Sequence, residues 1–363
     1  MNRCKTCLIP DTRPDTAFID GECSACVSFR KRIGIDWDAR RKDLIRLLDQ
    51  HHGECIVPSS GGKDSTWQVL KLLELGAHVT VVTATTCMLT EIGRKNIDNL
   101  ARYAKTIEVT PNRAVRAKLN RIGLQMVGDI SWPEHVSIFT TPFNVACDTK
   151  IPLIIYGENP QEAYGGPQGA DQARQMTRRW VSEFGGFLGL RPSDLVGVNG
   201  ITKRDMQDYM PPSDADMQAA GVEAHWLGQY FEWDSHRNAE EAIKAGMIAE
   251  CPSPANFWIA ENLDNAMTGL HCHGMYRKYG YGRLAAQISV DIRAGRIERN
   301  DALDIARQRD GLFPDTYAGF SFSNICEHIG MSSDDVMKSI NTFTNFDLFC
   351  RVENRRPILK EFA

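Results

Sequence analysis

Residues 54–66 read Glu54-Cys-Ile-Val-Pro-Ser-Ser-Gly-Gly-Lys-Asp-Ser-Thr66. A short apolar run, Cys55 to Pro58, gives way at once to serines, two glycines and a Lys-Asp-Ser triplet. A helix over 66–75 follows, with Val69, Leu72 and Leu73 on one face and Gly76 closing it. A buried strand, a glycine turn and a helix N-terminus in that order make an oxyanion cradle. The glycines let backbone N–H groups approach an anion, and the first helical turn adds unpaired donors and the positive end of the dipole. Ser60 and Ser65 add hydroxyls and Lys63 a charge.

Outward from this segment the pattern repeats. Val79–Thr83, Thr106–Val109 and Ile151–Tyr156 are strand candidates. Helical stretches over 90–104, 113–126 and 135–148 lie between them, and one over 35–48 precedes the loop, with Asp36 as its cap. Strands alternating with helices imply a parallel sheet covered on both faces, an α/β fold. His225–Phe231 reads as a further strand. Residues 160–220 look like an insertion with a helical piece around 172–184. The chain then reads mostly helical over 236–250, 283–294, 299–310 and 332–341. The expected division is a cysteine module over 1–35, the phosphate-loop domain over 36–235, and a substrate-binding helical region over 236–363.

The loop is not a Walker A motif, because Lys63 is followed by Asp64 and Val57 stands where the first glycine belongs. No Gly-x-Gly-x-x-Gly follows the strand either. Ser60-Gly-Gly-Lys-Asp-Ser65 instead resembles the PP-loop of the N-type ATP pyrophosphatases, matching all six positions. That resemblance implies a HUP-like fold and cleavage of ATP between its α- and β-phosphates. It assigns Ser60, Gly61, Gly62, Lys63, Asp64 and Ser65 to the nucleotide, with Lys63 and Asp64 catalytic and Mg²⁺ sharing the charge of pyrophosphate. In an open parallel sheet the ligand lies at the carboxyl ends of the strands. Thr83 is therefore expected beside the adenosine, and Gly157 to allow close approach. Glu158 is expected to bind Mg²⁺ or orient the nucleophile, or else simply to cap a turn.

Cys4-Lys-Thr-Cys7 and Cys23-Ser-Ala-Cys26 have zinc-ribbon spacing. Four thiolates make a closed, structural Zn²⁺ site, with an iron–sulfur cluster as the alternative. The other seven cysteines (55, 87, 147, 251, 272, 326 and 350) are expected mostly in the core. His271-Cys-His273 offers two ligands if it lies on a strand, which is weak evidence for a metal. A second cluster, Tyr276-Arg-Lys-Tyr-Gly-Tyr-Gly-Arg283, interleaves cations with tyrosines. Arg277, Lys278 and Arg283 are candidates for substrate phosphate, with a solvated loop as the plainer reading.

The chain has 363 residues, 42% hydrophobic and 24% charged, with a formal net charge of -4. That charge argues against nucleic acid as the main partner. No apolar segment is long enough to span a bilayer and the N-terminus has no signal-like run, so a cytoplasmic protein is expected. Eleven cysteines then favour metal ligands, catalytic thiols or core residues over disulfides.

The paired cysteines with Thr12-Arg-Pro14, the Ile35-Asp-Trp37 helix entry, the loop, and Tyr279-Gly-Tyr-Gly-Arg283 with Asp291-Ile-Arg-Ala-Gly-Arg296 together resemble a specific family. They are similar to N-acetyl sugar amidotransferases of the WbpG/PseA type. The resemblance implies ATP activation of an acetamido oxygen on a sugar, often nucleotide-linked. Displacement by ammonia then gives an acetamidino sugar for bacterial lipopolysaccharide or nonulosonic-acid biosynthesis. Residue 2 is asparagine and no nucleophilic cysteine elbow is convincing, so ammonia is expected from a separate glutaminase subunit, with a cyclase-like partner also open. The rival reading is a PP-loop tRNA-thiolating enzyme, which needs a reactive thiol or a cluster.

Overall fold

The computed structural model describes residues 1–167, 175–177, 180, 181, 183 and 185–363. The expected helical piece around 172–184 lies largely outside them. Five parallel strands form the central sheet in the order β5-β4-β3-β6-β7: β3 (Glu54–Pro58), β4 (His78–Ala84), β5 (Lys105–Val109), β6 (Leu153–Tyr156) and β7 (Glu223–Trp226). β7 stops at Trp226 and a 3₁₀ turn, Leu227–Gln229, takes over the rest of the expected strand.

Side-chain alternation explains why both faces are buried. Cys55 and Val57 of β3, Val79 and Val81 of β4, and Leu153 and Ile155 of β6 enter one core. That core is covered by α2 (Trp37–Gln50) and α3 (Lys63–Glu74). Ile56, Val82, Ile154 and Tyr156 enter the opposite core, against α5 (Arg113–Val127) and α6 (Trp132–Thr149). Each such aliphatic side chain contributes about 1.5–3 kcal/mol by burial. Asp36 caps α2 as expected, accepting from Ala39 N at 2.9 Å.

Strand order reverses beside β3. The chain winds out through β4 and β5 on one side and returns through β6 and β7 on the other. The crevice at the carboxyl ends of β3 and β6 is thus the topological switch point, where open α/β sheets bind ligands.

The first 31 residues form a hairpin, β1 (Phe18–Ile19) with β2 (Glu22–Cys23), and a helix, α1 (Ser24–Lys31). Cys4, Cys7, Cys23 and Cys26 are buried together and pack with Tyr281, Ala285 and Ala286 of the C-terminal region. That region contains helices Thr268–Tyr279, Arg283–Arg293, Arg299–Arg309, Phe322–Ile329 and Ser333–Thr342. It ends in a hairpin, Phe349–Glu353 with Arg356–Leu359, that the sequence reading lacked. Its turn residues Asn354 and Arg355 both have left-handed φ, as a type I′ turn needs, but without the glycine that announces one. Among the described residues no helix is long and apolar enough to cross a membrane.

A candidate active-site cleft

The phosphate loop closes tighter than its sequence suggests. α3 begins at Lys63, not Thr66, with Gly62 as N-cap. Its first bond runs from Thr66 N to Gly62 O at 3.0 Å, so the N–H groups of Lys63, Asp64 and Ser65 stay available. Gly61 is obligatory on two counts. Its φ is +79°, and an added Cβ would lie 2.7 Å from Ile97 N on α4 (Glu91–Leu100). Ser59 Oγ donates to Ser65 Oγ at 2.7 Å and accepts from Gly61 N at 3.0 Å, locking the turn.

A cleft of about 440 Å³ opens over this loop. That size suits a nucleotide-type ligand. One wall is the sheet edge, including Ser60–Ser65, Ala84, Thr86, Gly157 and Glu158. Thr83 does not line it; Val82, Ala84 and Thr86 do, while Thr83 is buried in the sheet. The opposite wall, Ala260–Asn265, Thr268, His271 and Arg283, comes from the C-terminal region. This segment is tied to the sheet where Ala266 N donates to Met88 O at 3.0 Å and Thr90 N donates to Asp264 O at 3.0 Å.

Charges meet across the gap. Lys63, 4% exposed, pairs with Asp64 and lies 3.9 Å from Glu261 Oε2. Its ammonium also sits 5.4 Å from the Trp258 ring centroid. Glu261 in turn lies 3.5 Å from Arg283. Asn238 Nδ2 donates to the second oxygen of Asp64 at 3.1 Å. Burial works against the Lys63 charge, but Asp64, Glu261 and Glu158 outweigh it and raise its pKa. Burial, with Asp64 and Glu261 near by, pushes the Glu158 carboxyl up to about 8 against the pull of Lys63. Glu158 also lines a second cavity of about 170 Å³, whose rim includes Arg32, Tyr164, Trp233 and Arg293. Ile33, 83% exposed, stands at that rim.

Of the three cations assigned to substrate phosphate, only Arg283 reaches the cleft. Residues 268–279 are helical, not a loop, and Gly280 at φ +74° caps them. Gly269 and Gly274 weaken the helical pattern in sequence, and Gly269 serves close packing, since a Cβ there would lie 2.6 Å from the Tyr317 ring. The last turn therefore points Arg277 into the C-terminal core, donating to Thr344 Oγ1 at 2.8 Å and Asn341 Oδ1 at 2.6 Å. Lys278 Nζ donates to Val127 O at 2.6 Å. Both charges are spent on backbone and side-chain oxygens of the fold.

The helix also separates the two histidines of 271–273. His273 is buried, its Nδ1 against Gly311 O at 3.1 Å. His271 faces the cleft and meets Asp129, its Nδ1 2.8 Å from Oδ1. His135 of α6 lies on the other side of that carboxylate, Nδ1 to Oδ2 3.4 Å. Burial would raise Asp129, but His271 and His135 overcome it and hold the carboxyl well below its usual range. Burial lowers His271 despite Asp129, whereas Asp129 prevails at His135 and raises it. Glu261, Asp129 and His135 escaped the sequence reading; none sits in a local pattern that marks a site.

The cysteine cluster fits a metal by its own geometry. Sγ–Sγ separations are 3.6 Å for Cys7–Cys23 and Cys23–Cys26, and 3.7 Å for Cys4–Cys26. A tetrahedron of Zn–S bonds of about 2.3 Å has edges of about 3.8 Å. Hydrogen bonding from Cys23 and Cys26, with the Arg293 guanidinium 3.9 Å away, pulls the Cys7 thiol down to about 7. The buried four-cysteine cluster can thus bind zinc in a ribbon-like module. Of the remaining seven cysteines, Cys55, Cys272 and Cys326 are buried, Cys87 and Cys147 partly so, and Cys251 and Cys350 are exposed rather than in the core.

Comparison with known proteins bears on the wall facing the loop. Residues 255–360 match the family model of the WbpG-like lipopolysaccharide biosynthesis protein C-terminal domain. Over that stretch the chain is similar to WbpG-like proteins. No curated protein matches it. The WbpG-like domain supplies Glu261, Asp264, His271 and Arg283, so it forms a wall of the cleft as well as packing against the cysteine module.

Proposed function

We propose that this protein is an ATP-dependent, AMP-forming amidotransferase of lipopolysaccharide biosynthesis that turns a sugar N-acetyl group into an acetamidino group. One observation carries the reading: a complete Ser-Gly-Gly-Lys-Asp-Ser loop at the switch point of a parallel sheet faces a WbpG-like domain across one cleft. In this scheme the loop N–H groups and Lys63 hold the β- and γ-phosphates of ATP. Mg²⁺ held by Asp64 would share the charge of departing pyrophosphate. The acetamido oxygen attacks the α-phosphorus, the bond to the bridging oxygen breaks, and pyrophosphate leaves. Ammonia adds to the imidate carbon, and AMP departs with the former acetamido oxygen. Of the three protons of the added ammonia, the amidinium product keeps two and the third passes to a base or to the departing AMP.

Glu158 suits the second half of this scheme. With its carboxyl near 8, Glu158 is mostly protonated at neutral pH, but its ionised fraction is a stronger base towards ammonium than an ordinary glutamate. Because it lines both cavities, the smaller one offers nitrogen a path apart from the nucleotide's. A separate glutaminase would deliver ammonia there, and Arg283 is placed to meet a substrate phosphate. The tRNA-thiolation reading has less support, since among the described residues no cysteine lines the cleft, and burial pushes the partly buried Cys87 thiol up.

The test is a product assay with ATP, Mg²⁺, ammonium and a panel of UDP- and CMP-linked N-acetyl sugars. Sugar-dependent AMP release, with oxygen replaced by NH in the sugar's mass, supports the reading. AMP release with unmodified tRNA but with no sugar would replace it by thiolation.

A further inference from the structure

A second cluster of metal-type ligands sits in the wall of the cleft, and the phosphate-loop chemistry makes no use of it. Asp129 ends the loop after α5, His135 lies in the first turns of α6, and His271 comes from the WbpG-like domain. One ligand atom from each lies within 4.8 Å of the others. Asp129 is 5% exposed, and Ser131 N donates to its Oδ1 at 2.9 Å, fixing the carboxylate's orientation. The imidazole rings stand edge to face with centroids 5.1 Å apart.

The decisive atom is His135 Nδ1. It is buried, turned towards Asp129 Oδ2 at 3.4 Å, and makes no hydrogen bond. A well-formed hydrogen bond would close to about 2.9 Å. A gap of 3.4 Å instead matches the ligand–ligand edge of a tetrahedron with bonds of about 2.0–2.1 Å, which is about 3.3–3.4 Å. Gly186 packs beside the ring, where a Cβ would lie 3.0 Å from this nitrogen. Two cations stand near by: Arg283, which lies against Glu261, and Lys278, which is bonded to Val127 O.

We propose that Asp129, His135 and His271 form a second metal centre that takes a divalent transition ion, one carboxylate oxygen and two Nδ1 atoms serving as ligands. Two imidazoles and one carboxylate suit Zn²⁺, Mn²⁺ or Fe²⁺ better than Mg²⁺, which prefers oxygen ligands. Three protein ligands leave a position open, as in catalytic rather than structural sites. Both histidines line the cleft, so that position is available to an oxygen of the bound substrate or to water. The centre is independent of the reaction proposed above, and its test uses neither ATP nor sugar.

The test is titration with Co²⁺ of full-length protein brought to one zinc per chain, with that zinc shown to be thiolate-bound, followed by calorimetry and visible absorption. The expected result is one Co²⁺ per chain with weak ligand-field bands and no thiolate charge-transfer band. His271→Ala and His135→Gln should each weaken that binding by more than the roughly 10- to 100-fold that loss of an outer-shell partner costs, with zinc content unchanged. His135→Gln removes no hydrogen bond at Nδ1, so it decides the matter if His271→Ala fails to fold. Absence of Co²⁺ binding by the wild type, binding only with a thiolate band, or undiminished binding by His135→Gln would each overturn the proposal.

Discussion

Lys63 shows how one residue's position sets its chemistry. Its stem is buried and its ammonium lies among Asp64, Glu261 and the Trp258 face, so the charge is held at the cleft, where the proposed reaction needs it for phosphate oxygens. Lys63→Ala is expected to lower AMP formation by about 10²- to 10³-fold, the loss typical of one preorganised charge-stabilising donor, with an unchanged zinc content as the check on folding. Glu158 yields a pH prediction for the nucleotide-free protein. The folded carboxyl titrates near 8 and the unfolded one near 4.5, so between those values the folded state holds the extra proton. Stability therefore falls as pH rises through that window. Glu158→Gln removes the penalty, so the variant should melt above the wild type at about pH 9 and level with it at about pH 5. Melting curves that run parallel across this range would contradict the assignment.

Among the elements, the α5–α6 pair carries the cleft's histidine wall. Arg116 of α5, 1% exposed, donates to Glu134 Oε1 at 2.9 Å, Ser137 Oγ at 2.7 Å and Tyr209 OH at 2.8 Å. Asn120 Nδ2 donates to the other Glu134 oxygen at 2.8 Å. The buried carboxylate is thus fully dependent on α5. Arg116→Met should cost about 3–5 kcal/mol in chemical denaturation, because Glu134 would be left buried and unpaired. A double change, Arg116→Met with Glu134→Met, should recover much of that loss. The sheet strands were legible in sequence because alternation on a two-sided sheet is local. The helix Thr268–Tyr279 was not, because its two glycines lower helix propensity, and the packing of Gly269 against Tyr317 is visible only in the fold.

At the scale of the whole molecule, the two ends of the chain are built into one another. Leu8 N donates to Ser289 Oγ at 3.1 Å, Arg299 donates to Cys4 O at 3.2 Å, and Arg3 pairs with Glu361 at 2.6 Å. The cysteine module therefore braces the WbpG-like domain, which forms the wall facing the phosphate loop. Cys4→Ser should lose zinc and lower the melting temperature, since structural zinc contributes directly to folding. It should also weaken nucleotide binding measured by calorimetry, although Cys4 lies outside the cleft. Zinc loss with unchanged nucleotide affinity would show that the brace does not reach the site.

Those same contacts separate local from distant information. Strand, glycine loop and helix follow one another within about a dozen residues, so this strand–loop–helix unit and the α/β class could be read directly, as could the paired cysteines. Glu261 and Asp129 acquire their roles from partners far along the chain, Lys63 in one case and His271 in the other. Arg277, Lys278 and Arg283 look equivalent in a row, yet a helix end and a left-handed Gly280 send two into the fold and leave one in the cleft. Local pattern determines which elements form, because backbone bonding and side-chain alternation act between neighbours. Only packing decides which charges face each other, because burial and pairing are properties of the surroundings that the folded chain creates.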